Sequence, residues 1–390
     1  YVYESEATTI NITKKSYDTI YTDNVVLEGY AMNEGTIAAC IDGTQKESKT
    51  IKAKETFTFS LTGLAQGRNT VELKFTDKNN KITRLVYNYV YLTNYDYVVD
   101  ASYTGTSGES VDGIPTYSKI GDAIAAVPAD NSSNKIILVK EGSYKEYLTI
   151  DKPNITIIGE DREMTSIHCY PGDYDENSGC GGNMNTRCAI KIASSATGFA
   201  AENITFKNDY EYGSTNSSNQ SADALRIDAS GASFVNCKMQ GVQDTLLVAA
   251  PGASFEKCRI EGLIDFIYAE NSGTAVFNDC EIVFLYIASK TSGYVCAPKT
   301  SASSDYGFVF KNCVVTSESG CGGTGYLLCR PWGPDASVTW INCYMGKAIN
   351  ANAPYAAMSG NEYMNARFYE YGTYGPGYLI NSDRRQITTD

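Results

Sequence analysis

Two aspartates lie in apolar sequence surroundings that are unusual for a charged side chain. Asp265 stands in GLIDFIYAEN, where Leu, Ile, Phe and Tyr otherwise indicate a buried strand, and Asp244 stands in GVQDTLLV. An ionised carboxylate in apolar surroundings is costly unless it is paired and hydrogen-bonded. When two such carboxylates lie close together, one tends to keep its proton while the other ionises. The pair therefore points to an active site that uses one carboxyl as acid and the other as base or nucleophile.

The spacing of the two aspartates follows a repeat that begins near residue 135. Segments such as ASFVNCKMQG and ASFEKCRIEG share an apolar residue, a polar pair and then a cysteine or isoleucine. Asp244 and Asp265 each lie seven residues after a repeated cysteine, in consecutive copies. Such repetition predicts a solenoid, here a parallel β-helix whose turns stack at roughly 4.8 Å, so we expect both aspartates on one face. The repeated cysteines are Cys237, Cys258, Cys280, Cys313 and Cys343, separated by 21, 22, 33 and 30 residues.

These patterns leave alternatives open. A polar ladder on the solvent-facing side of a solenoid would also stack aspartates, although the apolar neighbours disfavour it. We expect the repeated cysteines to be free, buried thiols, because five in one column cannot all pair. Cys169, Cys180 and Cys188 lie in a glycine-rich insertion, where a bridge or a metal stays open, although their spacing lacks the CxxC of a zinc site.

A counter-charge for a buried aspartate is offered by the segment YLLCRPWGP. Arg330 follows an apolar run and precedes Pro331 and Trp332. A guanidinium matches a planar carboxylate, and an exposed tryptophan matches a sugar ring. On its own this segment is more often a structured turn, but together with the two aspartates it favours a functional site.

Composition excludes several classes of function. Acidic residues outnumber basic ones by 45 to 32, for a net charge of −13 without a Lys/Arg-rich block, which argues against nucleic acid and membrane as partners. His168 is the only histidine; this excludes a multi-histidine metal site, and a Ser–His–Asp triad would have to use it. We interpret His168 as a non-catalytic surface residue. No apolar stretch approaches the roughly 20 residues of a spanning helix, and the first residues lack a signal peptide's features, so we expect a mature soluble protein.

The pattern changes near residue 95. Residues 1–95 carry short apolar runs between turn signals, which is typical of a small β-sandwich of immunoglobulin-like type. After a Gly/Ser/Thr-rich stretch, KIGDAIAAVP indicates a short helix that ends at Pro128. We predict an all-β protein with an accessory sandwich in residues 1–95 and a parallel β-helix in residues 96–390.

From about residue 96 to its end the chain resembles the pectin methylesterases, a family of carbohydrate esterases. EGSYKEYLTI is similar to the family's GxYxE segment, GVQDTLL to QDT, GLIDFIYAEN to DFIF, LLCRPWGP to LGRPW and ARFYEYGTYGPG to ARFxEYxxxGPG. The resemblance implies a right-handed parallel β-helix that hydrolyses galacturonate methyl esters in pectin, a methyl-esterified homogalacturonan. It further implies a secreted monomer that uses no metal or other cofactor and binds neither nucleic acid nor membrane.

The resemblance also implies a role for each matching residue. Asp265 would attack the ester carbonyl carbon, and Asp244 would protonate the departing methanol and then accept a proton from water. Arg330 would orient Asp265 and keep it ionised, and Gln243 would donate to the tetrahedral oxyanion. Candidates for stacking on sugar rings are Trp332 and Tyr268.

One departure from the family pattern affects the oxyanion site. The family's second oxyanion glutamine belongs to a QAVAL-type segment, which corresponds here to SADALRI, with Ser221 at its place and Gln220 just before it. Three alternatives stay open for the second donor. Gln220 would take the role if the register shifts by one residue, or Ser221 would donate through its hydroxyl. Otherwise the oxyanion is stabilised less well, at a loss of about 10²-fold in rate.

Two rival functions stay open. One is a β-helix polysaccharide hydrolase or calcium-dependent lyase, but the sequence shows neither a third aspartate in the stack nor clustered calcium ligands. The other is a non-catalytic glycan-binding solenoid.

Overall fold

The computed structural model describes residues 9–170, 187–213, 220–270, 272–323 and 325–387. Within these residues the chain divides into two compact units. The first comprises the residues up to Tyr95 together with Gly159–Asp161, and the second comprises Asp96–Ile158 and the residues from Arg162 onward.

The first unit contains two β-sheets that share one apolar core. All strand pairs are antiparallel except Thr19–Ile20 with Ile82–Tyr91. Strand Asn24–Ala31 alternates buried and less buried residues, as expected for a strand with one face on a core. The predicted immunoglobulin-like type of this unit stays a prediction. In sheet order, the strands are Ile10–Lys15, Asn24–Ala31 and Thr56–Thr62 in one sheet and Thr19–Ile20, Ile82–Tyr91, Gly67–Asp77, Gly35–Ile41 and Thr44–Ile51 in the other.

The second unit is a parallel β-helix, as the repeat predicts. Through most of the coil each turn adds one strand to each of three sheets, and nearly all neighbouring strands pair in parallel. The right-handed sense of the coil stays a prediction. Among the described residues, the one α-helix is Ile120–Ala126, which precedes Pro128 as expected.

The strands of the three sheets follow, each in sheet order. Sheet one contains Glu109–Val111, Ile114–Tyr117, Tyr97–Val99, Lys135–Val139, Ile155–Gly159, Ala200–Glu202, Ser233–Val235, Ala253–Glu256, Ala275–Asn278, Phe308–Lys311, Ser337–Ile341 and Arg367–Tyr371. Sheet two contains Gly142–Lys145, Thr165–Cys169, Thr205–Asn208, Lys238–Gln240, Arg259–Gly262, Glu281–Phe284, Val314–Ser317 and Tyr344–Met345. Sheet three contains Leu148–Ile150, Ile190–Ile192, Leu225–Ile227, Leu246–Val248, Ile264–Ala269, Ser292–Ala297 and Gly325–Cys329.

In six successive turns, a left-handed backbone residue marks the bend between sheets one and two. Asn and Asp adopt this conformation most readily among residues with a Cβ atom, which explains why the repeated polar pair so often ends in one of them. The cysteines that follow are buried and free, as predicted. The left-handed residues, with φ between 49° and 55°, are Asn203, Asn236, Lys257, Asp279, Asn312 and Asn342.

The core of the β-helix contains a column of stacked aromatic rings on sheet one. Neighbouring rings are nearly parallel, with centroids 5.0, 4.7, 4.5 and 4.0 Å apart along the column. The rings stack because the parallel register of the strands places equivalent side chains of successive turns above one another. The column consists of Phe234, Phe255, Phe277, Phe310 and Trp340.

Lys257→Asn is expected to stabilise the β-helix, because Lys257 occupies the left-handed position (φ 54°) that asparagine occupies in four other turns. The free energy of unfolding should rise by up to about 1 kcal/mol, measured by denaturant titration. The control is Lys311→Asn, in the extended strand Phe308–Lys311, which should give no gain. A loss of stability in the Lys257 variant would contradict this account of the turn.

Candidate active site

The register of sheet three places three aspartates at equivalent positions of consecutive turns. Leu225 pairs with Leu246, and Leu246 pairs with Ile267, so one turn takes 21 residues here. Asp244 and Asp265 therefore stack as predicted. Asp223 precedes them at the same interval, which makes the predicted absence of a third stacked aspartate wrong.

The backbone directs the side chain of Asp265 away from the apolar run around it. Asp265 has a left-handed conformation (φ 48°), and the pairing of its strand with the next turn shifts register between Ile264 and Ile267. A bulge of this kind changes the direction of a side chain within a strand. Asp244 is also left-handed (φ 62°). The charged residues are thus presented by local irregularities in an otherwise regular sheet.

A pocket of about 260 Å³ opens where these aspartates lie. It brings together seven of the eight site residues predicted from sequence. Those seven are Ser221, Gln243, Asp244, Asp265, Tyr268, Arg330 and Trp332, and the lining also includes Arg187, Ala297 and Met358, which were not predicted.

Asp265 has a guanidinium of its own. Arg330 donates from Nε to Oδ1 at 2.8 Å and from Nη2 to Oδ2, which makes the pair bidentate. The cation also lies over the ring of Tyr294, 4.1 Å from its centroid. Asp265 is 5% exposed; burial raises the pKa of its carboxyl above the ordinary value, against the hydrogen bonds and charge of Arg330, which lower it. Arg330 therefore favours the ionised form of Asp265.

Asp244 shares its cation with a second carboxylate. Arg187 donates from Nη2 to Asp244 Oδ2 at 3.0 Å and from Nε to Asp223 Oδ1 at 3.1 Å. Burial raises the pKa of Asp244 to about 8, opposed by Arg187 and reinforced by the negative charges of Asp265 and Asp223. Asp244 is therefore protonated at neutral pH, and the two pocket aspartates are suited to different roles.

Asp223 and Tyr268 complete this arrangement beneath Asp244. The Tyr268 hydroxyl lies 3.0 and 3.1 Å from the two carboxylate oxygens of Asp223, and Arg187 Nη2 donates to it at 2.6 Å. Asp223 is fully buried (0% exposed). The 21-residue interval counted backwards from Asp244 would have found Asp223, whereas Arg187 follows the glycine-rich insertion and carries no comparable signal.

The structure distinguishes the two candidates for the second oxyanion donor. Ser221 lines the pocket, and its hydroxyl accepts a hydrogen bond from Gln243 Nε2 at 3.2 Å. A hydrogen bond between Ser221 and Asp244 also acts to lower the pKa of that carboxyl. Gln220 lies outside the pocket lining, and its side-chain oxygen accepts the backbone N–H of Gly213. Of the two, Ser221 is therefore the residue whose side chain faces the pocket and Asp244.

The two aromatic candidates differ in accessibility. Trp332 is half-buried at the pocket, with the Lys299 ammonium 5.0 Å from its ring centroid. Tyr268 is only 3% exposed and packs 6.1 Å from Trp332, centroid to centroid. Little of the Tyr268 ring is therefore available for a sugar to stack on.

His168 lies on sheet two, away from these residues. Its Nε2 is 2.8 Å from the Ser143 hydroxyl, and its Nδ1 contacts the Asp209 carboxylate. The other oxygen of Asp209 accepts from Lys207 at 2.9 Å. This order of contacts is that of a Ser–His–Asp triad, but none of these residues lines the pocket; the non-catalytic interpretation of His168 stays a prediction.

The remaining cysteines offer no metal site in the described part of the chain. No group of three or more His, Cys, Asp or Glu side chains is placed there to hold a metal ion. Cys169 is half-buried and Cys188 is buried, and Cys180 lies outside the described residues. Cys296 and Cys329 form a disulfide between neighbouring strands of sheet three.

Across the described ranges, no helix is long and apolar enough to cross a membrane.

Comparison with known proteins identifies close relatives of the β-helix. The pectinesterase family model matches residues 109–386. Pectinesterase A from Dickeya chrysanthemi is 35% identical over 335 residues, which cover 76% of this chain and 87% of the relative. Pectinesterase 31 from Arabidopsis thaliana is 31% identical over 281 residues, covering 69% and 82%.

Solved structures give the same result. A pectin methylesterase in complex with a hexasaccharide matches with a TM-score of 0.66 at 29% identity, over 76% of this chain and 94% of that one. The pectin methylesterase from Erwinia chrysanthemi matches with a TM-score of 0.64, also at 29% identity and with the same coverage.

Proposed function

Because the chain belongs to the pectinesterase family, we propose that it hydrolyses galacturonate methyl esters in pectin, releasing methanol and leaving free carboxylates. One observation carries the proposal. The pocket pairs Asp265 with its own guanidinium and leaves Asp244 protonated at neutral pH, which is the division that an attacking carboxylate and a proton donor require.

The first half of the reaction forms an acyl-enzyme. A carboxylate oxygen of Asp265 attacks the ester carbonyl carbon, and a tetrahedral oxyanion forms. As it collapses, the bond between carbonyl carbon and methoxy oxygen breaks, and Asp244 gives its proton to the leaving oxygen. Methanol departs, and a mixed anhydride joins the galacturonate to Asp265.

Water completes the cycle. It attacks the carbonyl carbon of the galacturonyl group while Asp244, now ionised, takes its proton. The bond to Asp265 breaks, Asp265 leaves as a carboxylate held by Arg330, and Asp244 is protonated again. Each proton transfer uses a side chain of the pocket, so the proposed cycle calls for no cofactor.

Two donors at the pocket are available to the oxyanion. Gln243 and Ser221 both line it, and each can turn an N–H or O–H toward a developing negative charge. Gln243 Nε2 donates to Ser221 when no substrate is present. We assign Gln243 as the first donor and Ser221 as the second.

Pectin would bind across the open face of the pocket. Trp332, half-buried at its edge, supplies a ring for stacking on a galacturonate unit. The related pectin methylesterase bound to a hexasaccharide supports an oligosaccharide as ligand. We further propose that the protein acts outside the cell as a monomer, with residues 1–95 as an immunoglobulin-like accessory domain.

The rival functions differ in their products. Incubation with highly methylated pectin should give methanol and acid without shortening of the polymer. Shortening would support a hydrolase or lyase, and neither product would support a binding protein. The third stacked aspartate does not favour depolymerisation, because Asp223 is fully buried beneath the pocket.

Asp265→Asn is expected to lower methanol release at least 10³-fold, because the amide is a poor nucleophile. Asp228→Asn is the matched control, since Asp228 pairs with Arg226 at 2.8 Å outside the pocket, and it should retain activity. Ser143→Ala should also retain activity, because the proposed mechanism does not use Ser143, His168 or Asp209. Turnover near that of the wild type in the Asp265 variant would refute the assignment.

Ser221→Ala is expected to lower kcat by about 10²-fold, because it removes one oxyanion donor. Gln220→Ala should change kcat by less than about tenfold, because the Gln220 side chain bonds to Gly213 instead of facing the pocket. Both values come from initial rates of methanol release. The reverse order of effects would assign the second donor to Gln220.

The pH dependence of kcat/KM should have an alkaline limb near pH 8. Asp244 must be protonated to act as acid, so activity falls as pH rises through its pKa of about 8. Asp265 must be ionised to attack, so activity also falls as pH drops through the pKa of Asp265, which burial raises and Arg330 opposes. Rates corrected for spontaneous ester hydrolysis test this, and activity that still rises at pH 9 would contradict it.

A further inference from the structure

We propose that Arg187, Asp223 and Tyr268 form a buried positioning unit that holds Asp244 and determines which of the two pocket aspartates carries the proton. The inference rests on the proposed function and adds positioning residues to it. Asp223 does not line the pocket, so it would act through Arg187 and Asp244 and not on the substrate.

The contacts within this unit are continuous. Arg187 Nη2 donates to both Asp244 (3.0 Å) and the Tyr268 hydroxyl (2.6 Å), while its Nε donates to Asp223 (3.1 Å). The Tyr268 hydroxyl contacts Asp223 in turn. Asp223, Arg187 and Tyr268 are 0%, 4% and 3% exposed. A single buried cation is thus divided between two carboxylates.

Two of the three residues of the positioning unit differ from the motif residues of the pectin methylesterases. Asp223 stands at the valine of the QAVAL-type segment, in SADALRI, and Tyr268 stands at the second phenylalanine of DFIF, in DFIY. These positions are 45 residues apart in sequence, yet their side chains are hydrogen-bonded. A valine and a phenylalanine could not form this bond, so the two polar groups belong to one arrangement.

The charges around Asp244 explain what the unit does. The titratable and charged groups that act on it are Arg187, Asp223, Asp265, Arg330 and Tyr268. Arg330 is bound to Asp265 through Nε and Nη2, whereas Arg187 donates directly to Asp244 at 3.0 Å. Because Asp223 competes for Arg187 and adds its own negative charge, it favours the protonated form of Asp244. Burial raises the pKa of Asp223 to about 6, opposed by Arg187, Tyr268 and the charge of Arg226, so Asp223 is largely ionised at a pH where Asp244 is not.

Asp223→Asn removes that competition. Arg187 is then available to Asp244 alone, and one negative charge is lost, so Asp244 should release its proton more easily. The alkaline limb of kcat/KM should move about one pH unit lower. Tyr268→Phe should move it in the same direction by a smaller amount, because the hydroxyl acts by stabilising ionised Asp223.

The test measures methanol release against pH for wild type, Asp223→Asn, Tyr268→Phe and the double variant, with Asp228→Asn as the ion-paired control. We expect the alkaline limb of the control to coincide with that of the wild type. The double variant should shift by less than the sum of the two single variants, because Asp223 and Tyr268 are both bonded to Arg187. Thermal denaturation shows which variants fold; Tyr268→Phe, which removes one oxygen, keeps the test possible if Asp223→Asn does not fold.

The outcomes separate the two claims. Wild type without methanol release would overturn the proposed function. Active wild type with folded variants whose alkaline limbs stay in place would overturn the positioning unit alone, even if their stability falls. An equal shift in the Asp228 control would also overturn it, since the effect would then reflect any loss of negative charge.

Discussion

The stacking of equivalent residues forces like charges together in this pocket. A parallel β-helix repeats its backbone at roughly 4.8 Å, so an aspartate kept at the 21-residue interval faces the aspartate of the next turn. Since these side chains are largely buried, water screens their repulsion poorly. Nearby cations and retained protons must therefore offset the negative charge of the stacked aspartates. The other features of the site follow from how these cations and protons are distributed among the carboxyls.

The distribution is unequal, and the inequality has chemical consequences. Asp265 accepts hydrogen bonds from Nε and Nη2 of Arg330, whereas Asp244 shares Arg187 with Asp223. Two chemically identical carboxyls thereby differ in how strongly a cation favours the ionised form of each. In the proposed mechanism this difference supplies a nucleophile and an acid, and no third side chain of the pocket has to give or take a proton.

Much of this arrangement could be predicted from the sequence. The parallel β-helix and the stacking of Asp244 on Asp265 follow from a repeat that is regular where those residues lie. Arg330 could be paired with them because a buried carboxylate needs a cation and RPW supplies one after an apolar strand. The family motifs then assigned roles that residue patterns alone leave open.

What could not be predicted depends on contacts that local patterns do not encode. Arg187 follows a long insertion: the turn that contains it takes 42 residues, from Leu148 to Ile190, so counting from the cysteines does not place it. Asp223 lies in a repeat without a matching cysteine, although the interval itself would have shown it. The burial of Tyr268 and the orientation of Gln220 toward Gly213 depend on three-dimensional packing, which also decides between Gln220 and Ser221 as the residue facing the pocket.

The unequal charge of the two aspartates is the central claim, and a carboxyl titration tests it most directly. Protein labelled with ¹³C at aspartate side-chain carboxyls would be followed by NMR from pH 4 to 10, with Asp244→Asn and Asp265→Asn assigning the signals. We expect the Asp265 signal to be that of a carboxylate at pH 7 and the Asp244 signal to be that of a carboxylic acid, titrating near pH 8. Two ionised carboxylates at pH 7, or a proton on Asp265 in place of Asp244, would contradict the account.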